Sequence, residues 1–155
     1  QRLSDIIRSL IYITERDNIE LILPLHPRTR NLMEKNLDKL IYDKLMHSSK
    51  IKIIPPASFF DIIALEKNAK IVMTDSGGVQ KEAFFFEKPC VILRPETEWI
   101  EIVEYGAGII ANADPELIIN AYDKLVGTSP LFPRLFGDGH ATQYIIESII
   151  NYLNN

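Results

Sequence analysis

The sequence predicts an α/β fold in which a parallel sheet lies between two layers of helices. Helical and strand-like segments alternate along the chain. The strand-like segments are short, continuous apolar runs, which is typical of strands that are covered on both faces. A length of 155 residues fits one domain of this kind. We therefore expect a Rossmann-like, doubly wound domain that spans residues 1–155.

The first half of the chain alternates between the two element types. The predicted elements are a helix at 2–16, a strand at 20–25, a helix at 29–46, a strand at 51–54 and a helix at 59–68. The first helix follows from apolar residues at helical spacing, from Leu3 to Ile13. A break is expected near Asn36 in the second helix, and Ser58 is the expected N-cap of the third.

The second half continues the alternation. The predicted elements are strands at 70–73, 90–93 and 108–111, and helices at 78–87, 99–105, 114–126 and 140–153. Gly106 ends the short helix at 99–105, and Pro115 occupies the first position of the next one, which proline favours. A polar stretch at 127–139 precedes the last helix.

Composition excludes several classes of function. The net charge is −4 and no dense basic run occurs, so nucleic acid is excluded as the main partner. No apolar stretch reaches the roughly 20 residues that a membrane span requires. The lone cysteine, Cys90, lies in an apolar run and indicates a reducing compartment, which predicts a cytoplasmic protein. A chain that starts at Gln1 suggests a fragment or trimmed numbering.

One segment stands out because it follows a predicted strand and opens a helix. Residues 74–82 read TDSGGVQKE. Gly77 and Gly78 would let a ligand approach the backbone, and the first turn of a helix carries unpaired N–H groups and a partial positive charge. Ser76 adds a hydroxyl donor. These features favour a diphosphate, although a tight turn capped by Asp75 or Ser76 explains them equally well.

Four further candidates lie just after predicted strands or one turn into a helix. Glu82 could accept hydrogen bonds from a ribose diol, or it could be a solvated helix residue. His26 could donate to phosphate or transfer protons, or it could be a loop residue stacked on its prolines. Arg94 suits a phosphate, or a surface ion pair with a nearby glutamate. Phe59 or Phe60 could stack on a uracil ring, or one of them could belong to the core while the other covers a helix end.

Together these residues are similar to the non-hydrolysing UDP-N-acetylglucosamine 2-epimerases over nearly the whole chain. The matching motifs are LHPRT at 25–29, TDSGGVQ at 74–80 with Glu82 and Ala83, KP at 88–89, LR at 93–94 with TE at 97–98, and FGDG at 136–139. The resemblance implies the C-terminal half of a glycosyltransferase-B type fold, with a UDP-sugar in the cleft between two domains. The family's reaction proceeds by elimination of UDP and its re-addition to the other face of a 2-acetamidoglucal.

The resemblance also assigns roles to residues. Ser76, Gly77 and Gly78 would hold the diphosphate, and Glu82 the ribose. His26 and Arg94 would lie near the phosphates or the reacting sugar. It further implies UDP contacts for Glu98 and an aromatic such as Phe59.

Two positions depart from the family's common pattern. Glu98 and Trp99 stand where common members have Glu-Arg, and this version resembles the branch with epimerases of 2,3-diacetamido uronic acid sugars. Lys81 replaces an acidic residue that is common before the ribose-binding glutamate, and its side chain is expected to face solvent.

Several expectations concern partners and alternatives. The family takes its main catalytic carboxylates from an N-terminal domain, so this chain alone should be inactive and that domain should be its partner, within a homodimeric full-length enzyme. No cofactor and no metal are expected. A glycosyltransferase, a nucleotide-sugar sensor and a module without a ligand remain alternatives.

Overall fold

The computed structural model describes residues 2–154. Their helices are α1 (Arg2–Asp17), α2 (Pro27–Asn36), α3 (Lys39–His47), α4 (Phe59–Asn68), α5 (Gly77–Phe85), α6 (Ile100–Glu104), α7 (Pro115–Val126) and α8 (Ala141–Leu153). Their strands are β1 (Leu21–Pro24), β2 (Ile51–Ile54), β3 (Val72–Thr74), β4 (Cys90–Ile92) and β5 (Gly108–Ile110). Each predicted strand and helix is therefore found, and the helix predicted at 29–46 is divided into α2 and α3.

All strand pairs in the described residues are parallel, as the continuous apolar runs predict. β1 pairs with β2 in a register that joins Leu21 to Ile51, and β3, β4 and β5 pair in that order. The hydrogen bonds thus form two sheets, one of two strands and one of three, whereas the sequence alone predicts one sheet. Met73 of β3 packs against the cores of both sheets, so the two sheets share one hydrophobic interior.

Both faces of the three-stranded sheet are covered, and β4 shows this directly. Val91 packs with α1 and α7 residues, whereas its neighbours Cys90 and Ile92 pack on the other face with Ala83 of α5. Successive strand residues point to opposite faces, so a strand buried on both faces must be apolar throughout. All three β4 residues are fully buried, which explains the unbroken apolar run.

Side-chain caps fix where several helices begin. Ser58 caps α4 in a capping box with Asp61, and Asp114 caps α7 by accepting a hydrogen bond from Leu117 N at 3.0 Å. Asp38 caps α3 two residues after α2 ends, which places the expected break after Asn36. These caps satisfy N–H groups that the helix itself leaves unpaired.

Several boundaries differ from the prediction by one or two residues. β3 begins at Val72 and not at Lys70, and α5 begins at Gly77 and ends at Phe85. Lys70 is exposed, which suits a loop ahead of a strand that is packed on both faces. Shifts of one or two residues at element ends are usual, because terminal hydrogen bonds are weak.

The last helix lies apart from this core. Every residue of α8 is exposed, although several are large and apolar. These exposed apolar residues are Tyr144, Ile145, Ile146, Ile149, Ile150, Tyr152 and Leu153. Among residues 2–154, none of the helices has the length and apolar character needed to cross a membrane.

Cys90 is a core residue, as expected. Its thiol has no exposed surface, and burial raises its pKa to about 12, with the charge of Glu66 acting in the same direction. Reactive cysteines need an accessible thiolate, and a fully buried thiol with a raised pKa does not provide one.

The packing of α7 yields a test of the fold. Ile118 has no exposed surface and contacts the cluster that contains Val91, whereas the adjacent Leu117 is 49% exposed. We expect Ile118→Ala to lower the free energy of unfolding by about 2–5 kcal/mol, because it leaves a cavity. The control Leu117→Ala should change it by about 0.5 kcal/mol or less. Urea denaturation measures both, and equal losses would contradict this packing.

Candidate functional site

The loops after β3 and β4 lie side by side at one edge of the sheet. Thr74, the last residue of β3, is paired in register with Ile92, the last residue of β4. Leu93 N donates a hydrogen bond to Thr74 O at 2.9 Å beyond that point. Because these strands are parallel, the segment that opens α5 and the segment that begins with Arg94 leave the sheet together, where ligands bind in such folds.

The start of α5 is open to solvent. Ser76 is the N-cap, its Oγ accepts a long hydrogen bond of 3.5 Å from Val79 N, and its own N–H donates to Thr74 Oγ1 at 3.0 Å. Ser76 and Gly78 are exposed and Gly77 is half-buried. A Cβ added at Gly78 would meet only Ser76 Oγ, at 3.8 Å. The backbone is thus accessible where the helix presents its first N–H groups.

Gly77 is a place of close approach, and the neighbour is Glu98. A Cβ at position 77 would collide with the Glu98 carboxylate, so only glycine fits beside this side chain. Glu98 also forms an ion pair with Arg94, 3.0 Å from Nη1 to Oε2. Hydrogen bonding from its own backbone N–H and from Arg94 lowers the pKa of Glu98. A carboxylate at a helix start is favourable there, as an anionic ligand would be.

The segment that carries Glu98 is fastened to α5 by two further side chains. Trp99 Nε1 donates to Gly77 O at 2.8 Å, and Thr97 Oγ1 donates to Gln80 Oε1 at 2.6 Å. Gln80 is fully buried, and Thr97 Oγ1 also accepts a hydrogen bond from Trp99 N at 3.1 Å. These bonds hold the start of α5 in one position, which pre-organises its N–H groups.

Lys81 is half-buried and packs on aromatic rings, whereas the sequence predicts a side chain that faces solvent. Its Nζ lies 4.4 Å from the centroid of the Trp99 ring and 4.7 Å from that of Phe136. Phe136 belongs to the FGDG motif, and its ring also packs against Phe84, at 5.5 Å between centroids. The ammonium is therefore a cation that stabilises an aromatic cluster behind the site. Trp99 serves as a structural anchor in place of the family's arginine.

His26 caps α2 after β1. Its Nδ1 accepts a hydrogen bond from Arg28 N at 3.2 Å, and the ring is exposed. An imidazole nitrogen that accepts a hydrogen bond carries no proton, so the neutral ring bears its proton on Nε2. That N–H is directed away from the cap and can donate to an anionic ligand. The hydrogen bond between His26 and Arg28 N is local and does not connect His26 to the start of α5.

Phe59 and Phe60 are both on the surface. Their side chains are 64% and 79% exposed, and the two rings meet edge to face at 5.7 Å between centroids. The alternative that one of them belongs to the core is therefore wrong. They occupy the first turn of α4, after the carboxyl end of β2, and offer aromatic surface to a planar ligand.

Glu82 is half-buried, not a freely solvated helix residue. It lies on α5 one turn beyond Gly78 and contacts the buried carboxyl group of Glu66 from α4. The sequence motifs include Thr97 and Gln80 but gave them no role, and Glu66 was not singled out at all. The available signal for the Thr97–Gln80 bond was a polar glutamine on a helix that packs against a buried strand, since a buried amide needs a hydrogen-bond partner. Glu66 gave no such signal, because it follows the apolar run of α4 as an ordinary charged residue would.

The arrangement can hold an anion beside the helix start. Ser76, Gly77 and Gly78 supply donors, and Arg94 supplies a cation beside them. Among residues 2–154, no group of three or more potential metal ligands is gathered together.

The chain is similar to known proteins over nearly its whole length. The family model described as UDP-N-acetylglucosamine 2-epimerase matches residues 1–150. A UDP-N-acetylglucosamine 2-epimerase homolog of Methanococcus maripaludis is 38% identical over 151 residues, which are 97% of this chain and 40% of that protein. A UDP-2,3-diacetamido-2,3-dideoxy-D-glucuronate 2-epimerase of Pseudomonas aeruginosa is 38% identical over 94% of this chain and 39% of its own length.

A solved structure has the same fold. The Methanocaldococcus jannaschii UDP-GlcNAc 2-epimerase in complex with UDP-GlcNAc and UDP matches with a TM-score of 0.83 and 36% identity. The match covers 97% of this chain and 41% of that one, which agrees with one half of a glycosyltransferase-B type fold. The chain thus spans about 40% of the length of its curated relatives. Since the family model matches almost every residue, this chain belongs to the UDP-N-acetylglucosamine 2-epimerase family.

Proposed function

We propose that residues 1–155 form the UDP-binding, C-terminal domain of a non-hydrolysing UDP-N-acetylglucosamine 2-epimerase. The observation that carries the proposal is the exposed start of α5, where Ser76, Gly77 and Gly78 lie beside Arg94. The relatives' length and activity support the same assignment, because the chain covers about 40% of each. The enzyme then epimerises C2 of a UDP-N-acetylhexosamine.

The diphosphate binds at the start of α5. The N–H groups of Gly77 and Gly78 and the Ser76 hydroxyl donate to its oxygens, and the helix dipole adds a favourable field. Gly78 has the open space that this approach needs. The crystal structure of the relative with UDP-GlcNAc and UDP supports a nucleotide in this fold.

The rest of the nucleotide extends over neighbouring elements. Glu82 accepts hydrogen bonds from the ribose hydroxyls, one helical turn from the phosphates. The exposed ring of Phe59 stacks on uracil at the start of α4. Both contacts leave the diphosphate at the helix start, where its charge is best accommodated.

His26 and Arg94 act where the bond to UDP breaks. Elimination of UDP places negative charge on the diphosphate, and cations or N–H donors arranged in advance stabilise that charge. The His26 Nε2–H is a suitable donor, since Nδ1 is held by Arg28 N. Arg94 donates to the diphosphate while it remains paired with the Glu98 carboxylate. Glu98 contributes by fixing the guanidinium at the edge of the site.

The base and acid that act on C2 belong to an N-terminal domain, which is the partner of this chain. The exposed apolar residues of α8 support such a partner, because a contiguous apolar surface of this kind marks an interaction site. The full-length enzyme is a homodimer, and it acts in the cytoplasm, as the lone buried Cys90 indicates.

A second candidate for the substrate is a UDP-2,3-diacetamido uronic acid sugar. Two observations favour it: the Glu98-Trp99 pair that replaces Glu-Arg, and the 38% identity to the Pseudomonas aeruginosa epimerase of such a sugar. Trp99 brings no charge and its indole N–H is engaged by Gly77 O, so the sugar end of the site is less cationic than in common members.

The division of labour between two domains gives the first test. This chain should bind UDP weakly and should not epimerise UDP-N-acetylglucosamine, because half of the cleft and the C2 base are absent. Calorimetry measures binding, and NMR detects the C2 epimer. Full-length protein should make the epimer from the UDP-sugar alone. Transfer of the sugar to an added acceptor, without epimer or glucal, would instead indicate a glycosyltransferase, and binding without turnover a sensor.

Gly78 gives the second test. Gly78→Val should reduce UDP binding by at least about tenfold, because the side chain blocks the approach of the diphosphate to the backbone. The fold should persist, since the only near neighbour of a Cβ there is Ser76 Oγ. Asn120→Val, at an exposed position of α7, is the matched control and should bind UDP normally. Unchanged affinity in Gly78→Val, measured by calorimetry, would rule out the diphosphate site.

The third test concerns the ion pair beside the helix start. Arg94→Gln should weaken UDP binding by roughly three- to tenfold, because it leaves the Glu98 carboxylate facing the diphosphate without compensation. The double variant Arg94→Gln with Glu98→Gln should recover most of that loss, since the repulsion is then removed. Titration with UDP at two salt concentrations measures both effects. A double variant that binds no better than Arg94→Gln would show that Glu98 does not act on the diphosphate.

A further inference from the structure

Glu66 is a glutamate in the interior. It lies near the end of α4, its side chain is only 5% exposed, and neither carboxyl oxygen has a hydrogen-bond partner of ordinary donor type. Glutamate is rarely this buried unless it is paired, since an ionised carboxylate without a partner is strongly unfavourable in an apolar environment. The residue therefore requires a physical explanation that the rest of the site does not supply.

The groups that surround Glu66 include no cation among the residues that the structure describes. α4 packs on α5, from which the Glu82 carboxyl group contacts Glu66, and the Cys90 thiol of β4 is also within electrostatic range. None of the salt bridges among the described residues includes Glu66. The next residue on α4, Lys67, is exposed. Neither the Glu82 carboxyl group nor the Cys90 thiol can therefore offset a negative charge on Glu66.

Two carboxyl groups in contact can hydrogen-bond only if one of them keeps a proton. Burial raises the pKa of Glu66 to about 7, with the charge and hydrogen bond of Glu82 acting in the same direction. Glu66 is more buried than Glu82, so the proton resides on Glu66. Its O–H then donates to Glu82, which gives a partner to one of the two Glu66 oxygens that otherwise have none.

We propose that Glu66 is a positioning residue, whose protonated carboxyl group donates to one oxygen of Glu82 and leaves the other oxygen to accept from the ribose hydroxyls. The proposal rests on the proposed function, which places the ribose at Glu82. A side chain held by a neighbour before the ligand arrives loses less freedom on binding. Glu66 never touches the nucleotide and acts only through Glu82.

A dependence on pH follows. When the pH rises above the pKa of Glu66, about 7, this residue ionises, the donor to Glu82 disappears and the two carboxylates repel each other. Glu82 then loses its fixed position, and recognition of the ribose weakens. The Glu66→Gln variant would keep a donor at every pH, because an amide does not titrate in this range.

The protonation state can be tested without a nucleotide. A folded-state pKa above the unfolded value means that the folded protein retains a proton that the unfolded chain releases, so stability falls between about pH 4.5 and pH 7. Glu66→Gln removes this loss. The melting temperature of the variant relative to wild type should therefore be higher at pH 8 than at pH 5 by several degrees. Glu104→Gln, an exposed glutamate at the end of α6, should show no such change.

The positioning role is tested with UDP and 2′-deoxy-UDP. The two nucleotides carry the same diphosphate, so the ratio of their dissociation constants isolates the ribose contact at each pH. In wild type, UDP should bind about tenfold more tightly at pH 6, and this preference should largely vanish at pH 8.5. Glu66→Gln should keep the preference at both values. Glu66→Leu, which has no donor, should lack it at both.

Distinct outcomes separate the two proposals. Equal pH profiles in wild type and Glu66→Gln, or a preserved preference in Glu66→Leu, would overturn the positioning role while UDP binding stands. Failure of every protein to bind either nucleotide would overturn the proposed function, and the ribose role with it. A melting-temperature difference that is the same at pH 5 and pH 8 would show that Glu66 does not hold the proton.

Discussion

The hydrogen bond from the Trp99 indole to Gly77 O fixes the part of the molecule on which the candidate site depends. It joins the segment after β4 to the first residue of α5, and the Thr97–Gln80 bond holds the next turn. Glu98 fills the remaining space above Gly77. The N–H groups at this helix start are therefore rigidly placed yet exposed. A binding site for an anion needs both properties, since ordering the site at the moment of binding would reduce affinity.

These hydrogen bonds between the segment after β4 and the start of α5 are possible because β3 and β4 are parallel. Strands β3 and β4 end at the same edge, so two loops that are distant in sequence leave the sheet as neighbours. The helices that cover the faces bury β4 completely, and the rigid edge that results carries the loops. The space between α5 and the FGDG segment is filled by Lys81 and by the aromatic rings of Trp99 and Phe136. The segment after β4 and the FGDG segment thus both pack against α5.

The charged groups beside the first turn of α5 differ from those one turn further along the helix. At its start, two opposite charges, Arg94 and Glu98, form an exposed pair whose strength is limited by solvent. Further along, two like groups, Glu66 and Glu82, meet where solvent is largely excluded, so a proton must take the place of a cation. The same helix therefore offers a positive environment to an anion and an acceptor to a hydroxyl group, which together suit a phosphorylated sugar.

The sequence by itself determined the element order, the parallel character of the strands and the position of the glycine-containing turn that opens α5. These features arise from local causes: unbroken apolar runs such as Cys90–Ile92, the caps at Ser58 and Asp114, and glycines that follow a strand. Only the tertiary structure decided the two hydrogen-bonded sheets, the packing of Lys81 on aromatic rings, the choice of Glu98 as the partner of Arg94 and the meeting of Glu66 with Glu82. Each of these depends on which side chains from separate elements share a space. Periodicity gives the face on which a residue lies, but it does not give the neighbour that it meets across that face.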